Sequence, residues 1–236
     1  MLISFIVLSY NQEKMIYNAI KSILYSRIFN YEIIIVDNNS IDIPILHKNI
    51  KIITNRAIKN QSISRNLGIK CARGKHIIFL DGDDYFIPSN INNIINYIKN
   101  YNYDIYFQNR YYEDNNLRMI NIFDLSNVVS AGICHYIIKR LYLLKNNILF
   151  EEKKFYYYSE DIPFLIKLLE YNPQYCFNNS FHYVGIKNPS STDYKNVDKK
   201  QIMMYYIDMN KTFSKYKNKH ILYKLTYKMI KFLRNG

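Results

Sequence analysis

The first hundred residues alternate between short apolar runs and longer segments with helical spacing, and this alternation most constrains the fold. Each run is rich in isoleucine, valine and phenylalanine and is bounded by polar or turn residues, which is typical of a buried strand. The predicted strands are Leu2–Leu8, Glu32–Val36, Lys51–Thr54 and His76–Leu80, and the predicted helices are Glu13–Tyr25, Ser62–Ala72 and Ser89–Tyr101. Strand–helix alternation at this spacing predicts an α/β fold with a mainly parallel sheet flanked by helices on both faces.

The second half of the chain has a less regular pattern. We predict a strand over Tyr103–Phe107, a helix over Ile137–Lys145 and a helix over Glu160–Tyr171. The segments 109–124 and 177–193 give no periodic signal, so they are interpreted as variable loops. From Asp198 onward the pattern is helical and basic.

Composition excludes several classes of protein. The high aromatic and β-branched content excludes an acidic disordered chain, and the few glycines and prolines exclude a collagen-like one. The three cysteines form neither a CxxC pair nor a metal-knuckle spacing, which favours a reducing compartment. The N-terminus has no basic leader, and no apolar stretch approaches the ~20 residues that a membrane-spanning helix needs. We therefore expect a soluble or peripheral, cytoplasmic protein.

Polar residues follow three of the predicted strands. In open parallel sheets, ligands bind beyond the carboxyl ends of the strands, so these positions are the ones where a site is expected. The three sets are Ser9-Tyr10-Asn11, then Asp37-Asn38, then Asp81-Gly82-Asp83-Asp84. All of them are predicted to lie on the same edge of the sheet.

The acidic cluster Asp81–Asp84 is the strongest single signal. Three carboxylates within four residues repel one another unless a cation neutralises them, and Mg²⁺ or Mn²⁺ prefers such oxygen ligands and keeps positions for phosphate oxygens. The alternative is an Asp-rich turn in which Asp83 caps a short helix and the other carboxylates are solvated. Because the cluster follows a buried strand beside two other polar strand ends, the sequence favours the metal site.

Three further positions each allow two interpretations. Asp37 would accept a hydrogen bond from a pyrimidine base or a ribose, or would form an Asx-turn. The pair Arg65-Asn66 would hold phosphate or position the acidic loop, unless Arg65 is an ordinary surface residue. The pair Glu160-Asp161 would complement a helix dipole, or would include a general base that removes a proton from an attacking hydroxyl.

The chain lacks the motifs of several common enzyme classes. It contains no GxSxG, Walker loop or GxGxxG, and its five histidines show no metal-ligand spacing. These absences exclude the corresponding serine hydrolase, P-loop and simple dinucleotide-binding classes.

Several motifs, in this order, resemble the family 2 glycosyltransferases, an inverting group with the GT-A fold. Residues 3–11 are similar to the first strand and Tyr-Asn turn of that family, and residues 32–42 to its nucleotide-binding segment. Residues 64–69 and 72–84 resemble the stretch that leads into its DxD motif. Residues 159–164 lie where the family has its Glu-Asp pair. The resemblance covers roughly residues 1–170.

The resemblance implies a function in surface polysaccharide or lipooligosaccharide synthesis. It implies that one sugar moves from a nucleotide-diphosphate sugar to a hydroxyl of a glycan or lipid-linked saccharide, with Asp161 as the base and Glu160 beside it. Many UDP-using members have a second aspartate where this chain has Asn38, so uridine is expected and thymidine stays open. The implied donor-binding residues are Ser9, Tyr10, Asn11, Asp37, Asn38, Arg65, Asn66, Asp81 and Gly82, and the implied Mn²⁺ or Mg²⁺ ligands are Asp83, Asp81 and Asp84.

We also expect the chain to divide into two parts, the second of which lies outside the resemblance. Residues 1–195 would form the GT-A catalytic domain, in which 1–100 bind the nucleotide sugar and 101–195 bind the acceptor. Residues 196–236 would form a basic helical extension.

The extension carries most of the positive charge. The formal net charge is +13, and residues 199–236 contain ten Lys or Arg against one acid. A basic amphipathic helix over 218–236 would suit an anionic membrane surface, or would pack its apolar face on the catalytic domain.

Two alternative functions fit the sequence less well. A sugar-phosphate nucleotidylyltransferase would have a Gly-rich loop after the first strand, which this chain lacks. A nucleic-acid-binding protein is disfavoured because the basic excess is confined to the extension and the acidic cluster lies where a binding face would be.

Overall fold

The computed structural model describes residues 2–10, 15–38, 47–55, 60–113, 117–120, 132–152 and 160–186. Its strands are β1 Ile3–Ser9, β2 Tyr31–Asp37, β3 Ile50–Thr54, β4 His76–Asp81, β5 Tyr85–Phe86, β6 Ile105–Glu113, β7 Leu117–Ile120, β8 Tyr136–Lys139 and β9 Tyr175–Ile186. Its helices are α1 Met15–Leu24, α2 Gln61–Cys71, α3 Pro88–Asn100, α4 Arg140–Lys145 and α5 Asp161–Glu170, with a 3₁₀ turn over Ile133–His135. The predicted basic extension lies outside the described residues.

The strands form a nine-stranded sheet in the order β3-β2-β1-β4-β8-β6-β9-β5, and β7 pairs with β6. The first four strands in this order are parallel, and β9 is parallel to β6. Strand β8 runs antiparallel to both of its neighbours, β4 and β6. The predicted α/β class with a mainly parallel sheet flanked by helices is confirmed.

Both faces of the central sheet are buried, which explains why its strands are continuous apolar runs and not alternating ones. Phe5 and Ile6 are adjacent in β1 and therefore lie on opposite faces. The ring of Phe5 packs edge-on against Phe86, with centroids 5.8 Å apart. On the other face, a Cβ at Gly68 would come within 2.5 Å of the Ile6 side chain, so the lack of a side chain at Gly68 lets α2 lie directly on β1.

The prediction of a helix over Ile137–Lys145 is wrong in its first part. Residues Tyr136–Lys139 form β8, and only Arg140–Lys145 is helical. Strand β8 lies between two other strands with Ile137 and Ile138 fully buried. A short buried strand followed directly by a helix has an apolar run that periodicity alone cannot divide.

The interpretation of 109–124 and 177–193 as loops is wrong for a large part of both segments. Strand β6 continues to Glu113, and β9 extends from Tyr175 to Ile186. The polar run Asn178-Asn179-Ser180 in β9 has turn-forming composition, which hid the strand. The β6–β9 pairing is irregular at this point, because its register shifts between Phe107 and Asn109.

The sheet has two functionally different edges. The carboxyl ends of β1, β2 and β4 meet at one edge, together with the first residues of α2 and α5. The opposite edge contains the starts of β1 and β4 and the end of β8. Within the described ranges, no helix has the length and apolar character that a membrane crossing requires.

Candidate functional site

The carboxyl edge brings the predicted strand-end residues together. In the strand register, Ser9 pairs with Asp37 across β1 and β2, and Leu8 pairs with Asp81 across β1 and β4. Tyr10 follows at the rim with 41% of its surface exposed. Asn11 lies outside the described residues. Three strand ends that are far apart in sequence, from Ser9 to Asp81, therefore lie side by side.

Residues Asp37 and Asn38 form the β2 side of this surface, and both are buried. The backbone N–H of Asn38 donates to the carbonyl of Ser9 at 2.9 Å. The side-chain amide of Asn38 donates to Ser64 Oγ at 2.7 Å, which joins the end of β2 to the first turn of α2. Asn38 thus fixes the end of β2, where Asp37 lies.

The acidic cluster is divided between the surface and the interior. The Asp81 side chain is 46% exposed, Asp83 is half-buried, and Asp84 is buried. Burial raises the pKa of Asp84, as do the charges of Asp81 and Asp83, while Arg110 opposes them. The cluster therefore presents two carboxylates to the opening of the site and turns the third inward.

The inward carboxylate of Asp84 is an anchor between strands. Nη2 of Arg110 lies 3.4 Å from each Asp84 oxygen, and the backbone N–H of Ile186 donates to Oδ1 at 3.0 Å. A Cβ at Gly185 would overlap the Arg110 guanidinium, so glycine leaves room for it there. These contacts join the acidic loop to β6 and to the end of β9.

Arg65 is a buried cation between two carboxylates. It is 4% exposed, so it is not an ordinary surface residue. Its Nη1 donates to Glu160 Oε1, and its Nη2 lies 3.4 Å from Asp81 Oδ1. The carboxylates of Glu160 and Asp81 outweigh the desolvation of the guanidinium and raise the pKa of Arg65, so it stays charged. The side-chain amide of Gln61, with its nitrogen facing Glu160, donates to the same carboxylate at 2.5 Å.

Asn66 holds the segment that precedes Glu160. Its Nδ2 donates to the carbonyl of Phe150 at 2.9 Å, and its Oδ1 accepts from the N–H of the same residue at 2.9 Å. The Nδ2 atom also donates to Glu152 Oε1 at 2.8 Å. The Asn66 side chain is therefore fully engaged with protein groups, and its predicted contact with the nucleotide sugar stays a prediction.

Asp161 is the carboxyl group whose surroundings best suit proton transfer. It opens α5 directly after Glu160. Burial raises the pKa of Asp161 to about 7, with a further rise from the Glu160 charge and an opposing effect of Arg65. A carboxyl that titrates near neutral pH can accept a proton under physiological conditions.

Gly132 lies beside Asp161 and was not identified from the sequence. Its φ of 79° is rarely adopted by residues with a side chain, and a Cβ there would lie 3.4 Å from Asp161 Oδ2. Arg110 was also missed, because it lies in a segment interpreted as a loop and its partner Asp84 is distant in sequence. A strand prediction for β6 would have been the signal needed to find it.

Comparisons with known proteins show which family the chain is similar to. Residues 4–159 match the family model for glycosyl transferase family 2. A 118-residue stretch is 35% identical to the Escherichia coli UDP-Glc:alpha-D-GlcNAc-diphosphoundecaprenol beta-1,3-glucosyltransferase WfaP, covering 48% of this chain and 47% of that protein. The chain is 25% identical to the Staphylococcus aureus poly(ribitol-phosphate) beta-N-acetylglucosaminyltransferase TarP, covering 99% of this chain and 80% of that protein.

A solved structure shares the fold. The crystal structure of S. aureus TarS 1–349 in complex with UDP-GlcNAc superposes with a TM-score of 0.73 at 20% identity, covering 89% of this chain and 67% of that one. The chain spans about half the length of WfaP, so the activity of that whole protein does not transfer directly. Because the family model matches more than half of the sequence, this chain belongs to glycosyl transferase family 2.

Proposed function

We propose that this protein is an inverting glycosyltransferase that moves one sugar from a uridine diphosphate sugar to a hydroxyl of a glycan or lipid-linked saccharide. One observation carries the proposal: the Asp161 carboxyl, with a pKa raised to about 7, stands beside the Arg65–Glu160–Asp81 ion pairs at the edge where three strand ends meet. Membership of family 2, the UDP-GlcNAc named for TarS and the lipid-linked saccharide named for WfaP support it.

The donor lies along the carboxyl edge in this proposal. The uridine base and ribose contact the β2 side, where Asp37 is buried next to the anchored Asn38. Ser9 and Tyr10 line the neighbouring strand end. The diphosphate then lies over Asp81–Asp83, close to the Arg65 guanidinium that already pairs with Asp81.

The acidic loop fits a divalent cation that the donor itself helps to hold. Among the described residues, no three His, Cys, Asp or Glu side chains are grouped closely enough to hold a metal ion alone. Mg²⁺, however, is usually bound by one or two carboxylates together with substrate phosphates, and Mn²⁺ takes similar oxygen ligands. Asp81 and Asp83 would supply those carboxylates. Asp84, predicted as a third ligand, is engaged by Arg110 and Ile186. When bound, the cation would offset negative charge on the departing diphosphate.

Transfer requires a proton to leave the acceptor as the new bond forms. Asp161 accepts the proton of the acceptor hydroxyl, whose oxygen forms a bond to the anomeric carbon of the donor sugar. The bond between that carbon and the diphosphate oxygen breaks on the opposite face, and the nucleoside diphosphate leaves with the electron pair. Attack opposite to the leaving group inverts the anomeric centre. Glu160 does not share this role, because Arg65 and Gln61 hold its carboxylate.

The alternative functions lack comparable support. A nucleotidylyltransferase is not favoured by a family match to glycosyltransferases, and neither is a nucleic-acid-binding protein. Peripheral membrane contact through 218–236 remains a separate proposal, since that segment lies outside the described residues.

A donor-binding screen tests the function directly. We expect UDP-GlcNAc or UDP-glucose with Mn²⁺ to raise the melting temperature of the full chain, because a ligand at about 100 times its Kd stabilises the native state by about 2.7 kcal/mol. The same donors with EDTA, and GDP-mannose with Mn²⁺, should give smaller shifts. The absence of a shift and of UDP release with every UDP or thymidine diphosphate sugar would contradict the proposal.

A further inference from the structure

A cavity lies at the edge of the sheet opposite to the candidate active site. Its volume is about 700 Å³, and it is formed where the starts of β1 and β4 meet the ends of β8 and α3. His76, Ile98, Asn102 and Leu141 form part of its lining. We call it the basic-edge pocket, because its charged lining residues are Lys75, Lys99, Lys139 and Arg140.

Neutral groups, not carboxylates, hold two of these cations. Nζ of Lys139 donates to Asn102 Oδ1 at 2.8 Å, and Nε of Arg140 donates to the carbonyl of Gly74 at 2.9 Å. Within the described ranges, none of the four cations lies within 4 Å of a carboxylate oxygen. Lys139 and Arg140 are therefore held in place without a carboxylate partner among the described residues, which leaves their charges available to an anion.

Two other titratable residues, Asp104 and His76, lie beside these cations. Asp104 accepts the N–H of Lys139 with its backbone carbonyl, but its carboxylate accepts the N–H of Gln174 at 3.0 Å. His76 is 6% exposed in the wall of the pocket. Burial, then the charges of Lys139 and Lys75, lower the pKa of His76 to about 4, so its ring is neutral at pH 7.

We propose that the basic-edge pocket binds a small organic anion that carries a phosphate ester. Its size is that of a small-molecule site, since such cavities span about 300–1,000 Å³. Four cationic side chains in the lining match a multiply charged phosphate, and the side chains of Ile98 and Leu141 give the uncharged part of the ligand an apolar wall. The pocket faces away from the strand ends that the proposed donor occupies, so the two ligands do not compete.

The phosphate ester could belong to a free metabolite or to a phospholipid headgroup. Binding of a free phosphate compound can be followed at His76, which lies in the wall of the pocket. We expect inorganic pyrophosphate, added to the full chain in EDTA, to shift the imidazole NMR signals of His76 saturably and to raise its pKa, because an added anion offsets the lysine charges. EDTA removes the metal on which pyrophosphate binding at the acidic loop depends. For the second source, sedimentation with phosphatidylglycerol vesicles, compared with phosphatidylcholine vesicles, reports headgroup binding.

Two double variants that remove the same charge decide whether the probe binds in the basic-edge pocket. Lys99→Gln combined with Lys139→Gln should weaken the interaction by roughly tenfold or more, because two charge-assisted contacts to phosphate are lost. The control, Lys51→Gln with Lys145→Gln, removes the same charge from β3 and α4 outside the pocket lining. Pyrophosphate binding that depends on the pocket supports a free phosphate ester, and vesicle binding that depends on it supports a headgroup. If neither probe binds, or if both pairs of variants bind equally well, the proposal is overturned.

Discussion

At the scale of single residues, the ionisation of Asp161 sets the expected pH dependence of activity. A general base acts in its deprotonated form, so kcat/KM should rise about tenfold per pH unit in acid and level off above about pH 7, where Asp161 titrates. The initial rate measured from pH 5 to 9 with saturating donor and an acceptor concentration well below KM checks this. A profile that is flat between pH 5 and 8 would contradict the role of Asp161 as base.

Asp161 and Glu160 should respond differently to loss of charge, although they are adjacent. Asp161→Asn should lower turnover by roughly 10²–10⁴. Its stability should not fall: the raised folded-state pKa means that the wild type loses stability as pH rises from about 4 to about 7, and asparagine removes this loss. Glu160→Gln should cost about 3 kcal/mol in urea unfolding, because the buried Arg65 loses an ionic partner. Equal, small effects on both properties would support a helix-dipole role for the pair.

Substitutions at the last two positions of the acidic loop, Asp83 and Asp84, should affect activity and stability differently. Asp83→Asn should remove Mn²⁺-stimulated transfer and leave the melting temperature unchanged, because Asp83 is half-buried at the opening. Asp84→Ala should lower the free energy of unfolding by about 1–3 kcal/mol, because the N–H of Ile186 and the guanidinium of Arg110 lose their acceptor. Each variant is the control for the other, measured by unfolding and by sugar transfer with and without EDTA. Full EDTA-resistant activity in Asp83→Asn would contradict a metal at this loop.

The sequence predicted the location of the site better than the contacts within it. Strand-end position was enough to group Ser9, Asp37 and Asp81, because parallel strands align their carboxyl ends. It could not show that Asp84 points inward to Arg110, since this depends on a pairing between distant strands. The positive φ of Gly132 likewise leaves no pattern in the sequence.

At the scale of elements, α2 connects the donor side of the site to the proposed base. Asn60 caps the helix by accepting the N–H of Ile63 at 3.3 Å. One turn later, Ser64 contacts Asn38, Arg65 contacts Glu160, and Asn66 holds Phe150. A single helix therefore fixes the relative positions of the β2 end and the start of α5.

The Asn66 contact should be important for both stability and catalysis. Asn66→Ala leaves the N–H and carbonyl of Phe150 without their partner, and we expect a cost of about 2–3 kcal/mol in unfolding free energy. Residues 150–152 lose their anchor on α2 next to Arg65, the partner of Glu160, so turnover should also fall at temperatures where the variant is folded. Asn93→Ala on the exposed face of α3 is the control, and it should change neither property. Equal effects of the two substitutions would contradict an anchoring role.

Helices and strands are predicted well where a local sequence pattern determines them, and poorly where pairing with distant strands determines them. The amphipathic helix α3 and the buried strands β1 and β2 agree with their predicted positions within one or two residues. Strand β8 was assigned to a helix, because its antiparallel position between β4 and β6 is determined by partners elsewhere in the chain. Local propensity is a weak guide wherever pairing of this kind overrides it.

At the scale of the whole molecule, the acidic residues of the candidate site and the basic residues of the pocket lie at opposite edges of the sheet. The carboxyl edge contains the acidic loop and the Glu160-Asp161 pair, whereas the opposite edge contains the basic-edge pocket. Residues 199–236 hold nine of the thirteen excess positive charges, so most of the basic excess lies outside the described fold. The charge of the molecule as a whole therefore gives no guide to the site that carries out the proposed transfer.

The predicted basic extension supplies a test of membrane contact that is independent of the catalytic site. The described sheet and its core end at Ile186, so deletion of 218–236 removes none of the described strands or helices. If this segment contacts membrane, the deletion should release the protein from phosphatidylglycerol liposomes, because lysines near an anionic surface contribute about 1 kcal/mol each. Transfer to a short acceptor without a lipid should be retained, since Asp161 and the acidic loop are unchanged. Unchanged liposome binding, or a truncated protein that fails to fold, would favour packing of the extension on the catalytic domain.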